Sequence, residues 1–490
     1  MKPDTLLSGL KIIKRSGVSD RDVKDICIDN RKVEHGDCFV CIKGFARDGH
    51  EFADSAAENG ASLIVMQDES FFDIMSRKYA GENIGFVLCE NTRKALAVLS
   101  DNICGHPSGK LNLIGITGTK GKTTTSYMIK GIYDSCDVKT GLVGTICNMI
   151  GERKLETDRT TPEANVLQPL LAEMVKENVK VCVMEASSQG LNLDRVGGCE
   201  FNLGLFTNLS PDHIGDTEHK DMDDYALAKS KLFKMCKKGL INIDSPYAGV
   251  MIENAECEIF TYGIDKDCDF RAVNIVLKPD GVEYDIKGMC PFTHISAAIP
   301  GRFSVYNSLA AVSACYLDGI NMEKIAAGIK NIVVCGKAET VPTGRNFAVM
   351  IDYAHNPDSF INILTTARAF AKRTVFLFGC GGDRNRPRAL MGKTAGEYAD
   401  FTIVTSDNPR TEDPESIVRD IEKGIIETGK PYICIVNRQE AIEYAIKNAQ
   451  EGDVIILAGK GHETYQIFKD RTIHFDEREI VKEALKKYYG

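Results

Sequence analysis

The stretch LNLIGITGTKGKTTTSYMIKGIY, residues 111–133, constrains the fold more than any other. LNLIGIT reads as a buried strand. In TTTSYMIKGIY the pairs Met128/Ile132 and Ile129/Tyr133 recur at i, i+4, which predicts a helix. A strand that passes straight into a helix through GTKGK leaves the first N–H groups of that helix unpaired and facing outward. With the partial positive charge of the helix start they make a cradle for an anion. Lys122 adds a point charge and Thr123 a hydroxyl suited to a metal ion. Gly118, Thr119, Lys120, Gly121, Lys122, Thr123 and Thr124 therefore read as a nucleotide-phosphate loop, although Ile116 stands where the strict pattern has its first glycine.

Such a loop sits on a parallel sheet, and the rest of the sequence supplies one. VKVCVMEA, LGLFTNL and GLINID alternate with helical segments after the loop. FAVMIDYA, RTVFLFGCGG, ADFTIV, YICIV and DVIILAGKG do the same beyond Gly336. Before the loop, GDCFVCIKG, ASLIVM and IGFVLC predict a smaller sheet of short strands, and DNICGHPSGK reads as a linker. The expected fold class is α/β in three domains, residues 1–108, 109–335 and 336–490. The central domain is a P-loop ATPase-like parallel sheet and the last is Rossmann-like. Ligands of open parallel sheets bind beyond the carboxyl ends of the strands, which is where the polar loops fall.

Composition narrows the function classes. The balance of 60 Lys and Arg against 69 Asp and Glu leaves a net charge of −9, which argues against a nucleic-acid partner. No run approaches a membrane span, and the charged amino-terminal stretch has no signal-peptide core, so the expected location is the cytoplasm, without membrane insertion. The 17 cysteines are scattered, and the one C-x-x-C, Cys38 to Cys41, has no second pair to complete a zinc site, so free thiols are expected.

The strand ends carry the chemistry. VMEASSQG brings Glu185, and LFTNLSPDHIGD brings His213. IDYAHNPDS, FGCGGDRNR, SDNPRTEDP and LAGKGHETYQ follow in that order. With the phosphate loop and the amino-terminal IDNRKVEHGDCFVCIKGFARDGHEFA, these motifs make the chain similar to the Mur ligase family across about 450 residues. The resemblance implies amide formation driven by ATP through an acyl phosphate, with Lys122, Glu185, His213, Lys229 and Asp352 as the catalytic set. It implies magnesium held by Thr123, Glu185, His213 and Lys229, the lysine carrying carbon dioxide as a carbamate. Helical periodicity in DDYALAKSKLFKM does not choose between Lys229 and Lys231; the family pattern chooses Lys229.

The resemblance further assigns ATP contacts to Asn307 and Lys337 in addition to the loop. The nucleotide-sugar substrate, UDP-N-acetylmuramoyl-L-alanyl-D-glutamate, is assigned Asn30, Thr160, Thr161, Ser187 and Arg195. The added amino acid is assigned Arg388, Asp407, Asn408, Pro409, Arg410, Gly459 and Glu463. D-N-P-R is similar to the loop of members that add meso-diaminopimelate, whose far carboxylate suits an arginine fork; lysine-adding members usually lack that arginine. Departures from the family pattern fall at Asn30, Gln189, Ser304 and Lys337. A lysine-adding ligase, folylpolyglutamate synthase and a non-catalytic nucleotide-sugar-binding paralogue are the rival readings, and the expected state is a monomer.

Overall fold

The computed structural model describes residues 1–17, 21–44, 47–212, 214–215, 218–384 and 386–490. It comprises two compact units, Met1–Phe270 with Ala310–Ile320, and Arg271–Leu309 with Asn321–Gly490.

The first unit opens with a five-stranded sheet in the order Ile12–Ser16, Gly85–Cys89, Leu63–Met66, Cys38–Val40, Ile26–Cys27. The first of these pairs antiparallel and the others are parallel. Its strands Cys38–Val40, Leu63–Met66 and Gly85–Cys89 are buried on both faces: Val40 and Val65 pack with Leu96 and Leu99, while Phe39, Ile64 and Phe86 pack with Phe72. That double burial explains why their sequences read as unbroken apolar runs. The expected linker begins too early at residue 101, because the helix Thr92–Cys104 runs into it and stops only at left-handed Gly105.

The large sheet of this unit runs Glu258–Gly263, Cys236–Asn242, Phe201–Phe206, Asn112–Thr117, Val181–Glu185, Thr140–Val143, all parallel. A short antiparallel extension, Asn148–Ile150 and Arg153–Leu155, was not anticipated from the sequence. Thr117 lies opposite Phe206, and Glu185 opposite Ile116, so three strand ends open at one level.

In the second unit Ala348–Asp352, Asp453–Ala458, Arg373–Phe378, Phe401–Val404 and Tyr432–Cys434 form a parallel sheet. Glu339–Val341 is its antiparallel edge. Gly281–Gly288 and Thr293–Ala297 pair antiparallel. All 17 cysteines are free, and burial pushes the Cys89 thiol up to about 11. No helix among the described residues is long and apolar enough to cross a membrane.

The helices Arg388–Tyr398 and Pro414–Ile426, each leading away from a functional loop, pack backbone against backbone. A Cβ on Gly424 would sit 1.7 Å from the Ala389 carbonyl oxygen, and one on Gly392 2.0 Å from that of Ile421. Gly424→Ala should therefore destabilise the protein by about 3 kcal/mol, the upper range for overpacking. A urea unfolding midpoint indistinguishable from wild type would show that these helices separate without cost.

Candidate active site

The phosphate loop forms as its sequence predicts. Gly118 (φ 142°) makes the turn out of the strand, and Gly121 (φ 88°) caps the helix Lys122–Asp134 in a left-handed conformation. Ile116, which breaks the strict motif, lies inside the strand, so the turn does not use it. The loop is tied to the next strand end. Asn208 accepts from the Lys120 N–H at 3.0 Å through Oδ1 and donates to the Lys120 carbonyl at 2.9 Å, and its own carbonyl receives the Thr119 N–H at 2.9 Å. Thr207 donates to the Lys120 carbonyl at 2.7 Å.

Glu185 is wholly buried at the end of its strand. Thr123 donates to its Oε2 at 3.0 Å, and Thr145 donates through Oγ1 to Oε2 at 2.9 Å and through N to Oε1 at 3.0 Å. Among the described residues it has no ion-pair partner, and no three His, Cys, Asp or Glu side chains cluster as a metal cage. A buried carboxylate with hydrogen bonds but no cation, beside a threonine hydroxyl and a phosphate loop, is the oxygen donor set that magnesium takes. Thr145 was missed in the sequence, although it follows an apolar strand just as Glu185 does. His213 lies outside the described residues.

Lys229 is buried on the helix Met222–Ser230, 2.9 Å from the Gly118 carbonyl oxygen. Lys122 donates to the same oxygen at 2.8 Å. Burial, with the Lys122 charge added, drives the Lys229 amine well below the usual lysine range. Its Nζ lies 4.4 Å from the centre of the Tyr225 ring, whose hydroxyl meets Thr119 at 3.2 Å. Lys231 is different. The α-helix gives way to a 3-10 turn at Lys231–Lys234, and Lys231 reaches out to Asn192 Oδ1 at 2.7 Å. Two positions apart, the two lysines face different sides of the helical run.

Of the residues expected to face the nucleotide sugar, three converge. Thr161 donates to the Glu185 carbonyl at 2.8 Å and meets Ser187 Oγ at 3.0 Å, and Arg195 donates to the Thr161 carbonyl at 3.2 Å. Thr160 meets Thr145 at 3.0 Å. Arg195 already has a carboxylate, Glu163, 3.0 Å from its Nε, and burial lowers its pKa. Asn30 starts a short 3-10 turn and donates to Ser55 at 3.1 Å. Gln189 donates to Glu218 at 3.3 Å. Thr124 is buried in the first turn of the loop helix.

In the second unit, Asp352 accepts the Ala338 and Ala354 N–H groups, each at 2.7 Å. Burial raises its pKa and the Lys337 charge opposes that rise. Lys337 lies 5.0 Å from the centre of the Tyr353 ring. Asn307 is buried in the helix Arg302–Leu317, and Ser304 in the same helix donates to the Pro300 carbonyl at 2.9 Å. Asn408 donates to Glu463 Oε2 at 2.8 Å, while its own Oδ1 accepts the Ile467 N–H and the Lys460 ammonium, each at 3.0 Å. Gly459 (φ 113°) brings its backbone so close to Asp407 that a Cβ would meet Oδ2 at 3.0 Å. Pro409 is buried between Asn408 and Arg410.

The two arginines offered to a substrate carboxylate differ. Arg388 is committed, with Glu412 Oε1 2.8 Å from Nη2 and Asp420 Oδ2 3.3 Å from Nη1. Arg410 holds a left-handed backbone (φ 54°), pinned by its N–H to the Ile467 carbonyl at 3.1 Å. Its guanidinium makes no hydrogen bond or ion pair among the described residues. A non-glycine residue in that conformation is strained, and such strain concentrates at functional sites.

Comparison with known proteins bears on this arrangement. Residues 22–102 match the description "Mur ligase family, catalytic domain", residues 116–315 "Mur ligase middle domain" and residues 336–461 "Mur ligase, glutamate ligase domain". A protein of Caldanaerobacter subterraneus subsp. tengcongensis, named UDP-N-acetylmuramoyl-L-alanyl-D-glutamate–2,6-diaminopimelate ligase, is 47% identical over 483 residues, covering 98% of each chain. One of the same name from Clostridium botulinum is 44% identical, covering 98% of this chain and 99% of its own. A solved structure of a UDP-N-acetylmuramoyl-L-alanyl-D-glutamate–2,6-diaminopimelate ligase, 29% identical, superposes with a TM-score of 0.72 over 96% of both chains.

His462, beside Tyr353 (ring centres 4.9 Å apart), has its pKa lowered to about 4 by burial and by the charges of Lys337 and Arg478. The unfolded chain therefore binds the extra proton between about pH 6.5 and 4, so this group's contribution is full above pH 6.5 and is lost as pH falls toward 4. His462→Gln should flatten the decline of the urea midpoint across that window relative to wild type. Parallel curves for the two proteins would remove His462 from the account.

Proposed function

The chain belongs to the Mur ligase family, and we propose that it joins meso-diaminopimelate to UDP-N-acetylmuramoyl-L-alanyl-D-glutamate at the expense of ATP. It is an ATP-dependent, amide-forming ligase of peptidoglycan precursor synthesis. The observation that carries the reading of this chain's own residues is the pair Lys122 and Lys229 on one loop carbonyl, beside the buried Glu185 carboxylate. We divide the chain into residues 1–108 for the UDP-sugar, 109–335 for ATP and ligation, and 336–490 for the amino acid. The separate five-stranded sheet and the ranges of the three family matches support that division. The protein acts in the cytoplasm as a monomer.

A carboxylate and an amine do not condense in water, because the carboxylate is a poor electrophile with a poor leaving group. The acceptor's carboxylate oxygen attacks the terminal phosphorus of ATP and ADP leaves. The amine then attacks the acyl carbon, phosphate leaves, and the ammonium proton is lost. Two anions must approach in the first step, so the residues must screen charge. The loop N–H groups and Lys122 hold the nucleotide phosphates, with Thr119, Lys120, Thr123 and Thr124 shaping the cradle. Magnesium, held by Thr123, Glu185, His213 and the Lys229 carbamate, supplies further neutralisation of phosphate charge when bound. Lys229 suits the carbamate role because its buried amine is held toward the neutral form that reacts with carbon dioxide. As an anion it would attract Lys122 where the ammonium repels it. Asp352, Lys337 and Asn307 are assigned to the nucleotide on the family resemblance.

For the amino acid, Arg410 takes the far carboxylate of meso-diaminopimelate, Glu463, Asp407 and Gly459 take the ammonium beside it, and Asn408, its amide already bonded to Ile467, Lys460 and Glu463, shapes their loop. Arg388, already held by two carboxylates, carries less of this reading. For the sugar peptide, Thr160, Thr161, Ser187 and Arg195 gather around the Glu185 strand end, and Asn30 is assigned to the uridine side.

Phosphate release with the muramoyl dipeptide, comparing meso-diaminopimelate, L-lysine and no amino acid, tests the whole reading; equal use of L-lysine would overturn the diaminopimelate assignment. Arg410→Ala should raise KM for diaminopimelate by an amount corresponding to about 2–5 kcal/mol, leaving KM for ATP and the dipeptide nearly unchanged. Arg410→Lys should restore little, since a point charge does not reproduce the fork. Lys229→Ala and Glu185→Gln should each lower kcat by roughly two orders of magnitude or more, a loss typical of removing transition-state charge stabilisation. Bicarbonate should restore wild type in carbon-dioxide-depleted buffer but not Lys229→Ala, and near-normal turnover of Lys229→Ala with loss in Lys231→Ala would reverse the lysine assignment.

A further inference from the structure

Lys460 has no role in the reading above, yet it is fully buried and lies among three of the residues assigned to the amino acid. Its ammonium donates to Asn408 Oδ1 at 3.0 Å and to Glu463 Oε2 at 3.3 Å, and lies 3.5 Å from Asp407 Oδ1. A lysine removed from water is costly unless its charge is met, and here two carboxylates and an amide oxygen meet it. The contacts also settle orientation. An asparagine amide can point either way, but the Lys460 ammonium and the Ile467 N–H both require Oδ1 to face them. The Nδ2 group is thereby aimed at Glu463 Oε2, 2.8 Å away. Both partners of Glu463 thus fall on the same oxygen, and its Oε1 has no hydrogen bond among the described residues. With Asp407, Glu463 and Lys460 counted together, the cluster carries one net negative charge and can accept one cation.

Resting on the reading that this cluster receives the ammonium of the added amino acid, we propose that Lys460 is a positioning residue for amino-acid binding. It fixes Asn408 and engages one oxygen of Glu463, so that Oε1 is presented to the substrate ammonium. Lys460 does not itself touch the substrate. It also sets the charge of the cluster: without it, two unbalanced carboxylates would repel each other and Asn408 would lose the constraint on its amide. The sequence offers Lys460 only as the middle of the motif A-G-K-G-H-E, where it reads as one more basic residue near phosphates.

The test is steady-state phosphate release with Lys460→Met, Glu463→Gln and the double variant, each with KM determined separately for meso-diaminopimelate, ATP and the muramoyl dipeptide. Lys460→Met should raise KM for meso-diaminopimelate at least tenfold while KM for the other two substrates stays within about twofold. In the Glu463→Gln background the same substitution should raise it far less, because the residue acts through that carboxylate. Should Lys460→Met fail to fold, Lys460→Gln, which retains a donor for Asn408 without the charge, gives the same comparison and should show the same selective rise. An unchanged KM for meso-diaminopimelate, a uniform rise for all three substrates, or full additivity with Glu463→Gln would overturn the proposal. Failure of the wild type to use meso-diaminopimelate would instead overturn the functional reading on which it rests, so the two failures are distinct.

Discussion

The nucleotide end of this molecule depends on one buried carboxylate. Glu185 is removed from water at a strand end and receives three hydrogen bonds, from Thr123 and twice from Thr145, but no cation among the described residues. Hydrogen bonds alone leave a buried charge only partly offset. The arrangement also restricts its neighbours: a Cβ on Gly144 would lie 2.4 Å from Glu185 Oε1, so glycine there lets the loop carrying Thr145 come close to the carboxylate. The parallel order puts Glu185 between the phosphate-loop strand and the Thr145 strand. Loop, carboxylate and threonine are thus consequences of strand order, and the residual negative charge is what a cation with its phosphates would complete.

A second constraint lies across the loop. Two lysine ammoniums on the Gly118 carbonyl is an arrangement that a stability argument alone would not produce, since like charges that close oppose each other. Lys229 has little room to withdraw, being enclosed by Tyr225 and the loop. The repulsion is therefore relieved by lowering its affinity for the proton. Burial and the Lys122 charge act in the same direction here and outweigh the opposing charge of Asp212, which is why this lysine is driven well below the usual range.

Much of this was legible in the sequence where local chemistry and global fold agree. The phosphate loop needs a strand before it and a helix after it, and both periodicities were present. What escaped was set by tertiary packing. Nothing in SKLFKM announces which side of the helix the phosphate loop covers, and that packing puts Lys229 on the Gly118 carbonyl while Lys231 reaches Asn192. Gly392 and Gly424 look like poor helix residues until the facing carbonyls are seen. Arg388 and Arg410 are equal as letters, yet one is paired with two acids from the following helix and loop while the other is not, a distinction that depends on which turns approach which. His213 lies outside the described residues.

The second unit separates cations that hold its loops from one that is left available. Arg438 is fully buried, pairs with Glu477 at 2.7 Å, and donates to the carbonyls of Ser406 at 3.4 Å and Ala458 at 2.8 Å. Those carbonyls immediately precede Asp407 and Gly459, so a single guanidinium fastens the two loops assigned to the amino acid. Lys460, buried among Asp407, Asn408 and Glu463, ties the same two loops. Both are fully buried and held by their own acceptors, and removing Glu477 would leave the Arg438 charge buried and unpaired. Arg410 is the opposite case: its backbone is held in a strained conformation by the Ile467 carbonyl while its fork stays unengaged. A strained backbone beneath a guanidinium that no described residue engages leaves the fork open, so a ligand bearing a carboxylate completes it and one bearing an ammonium meets a like charge.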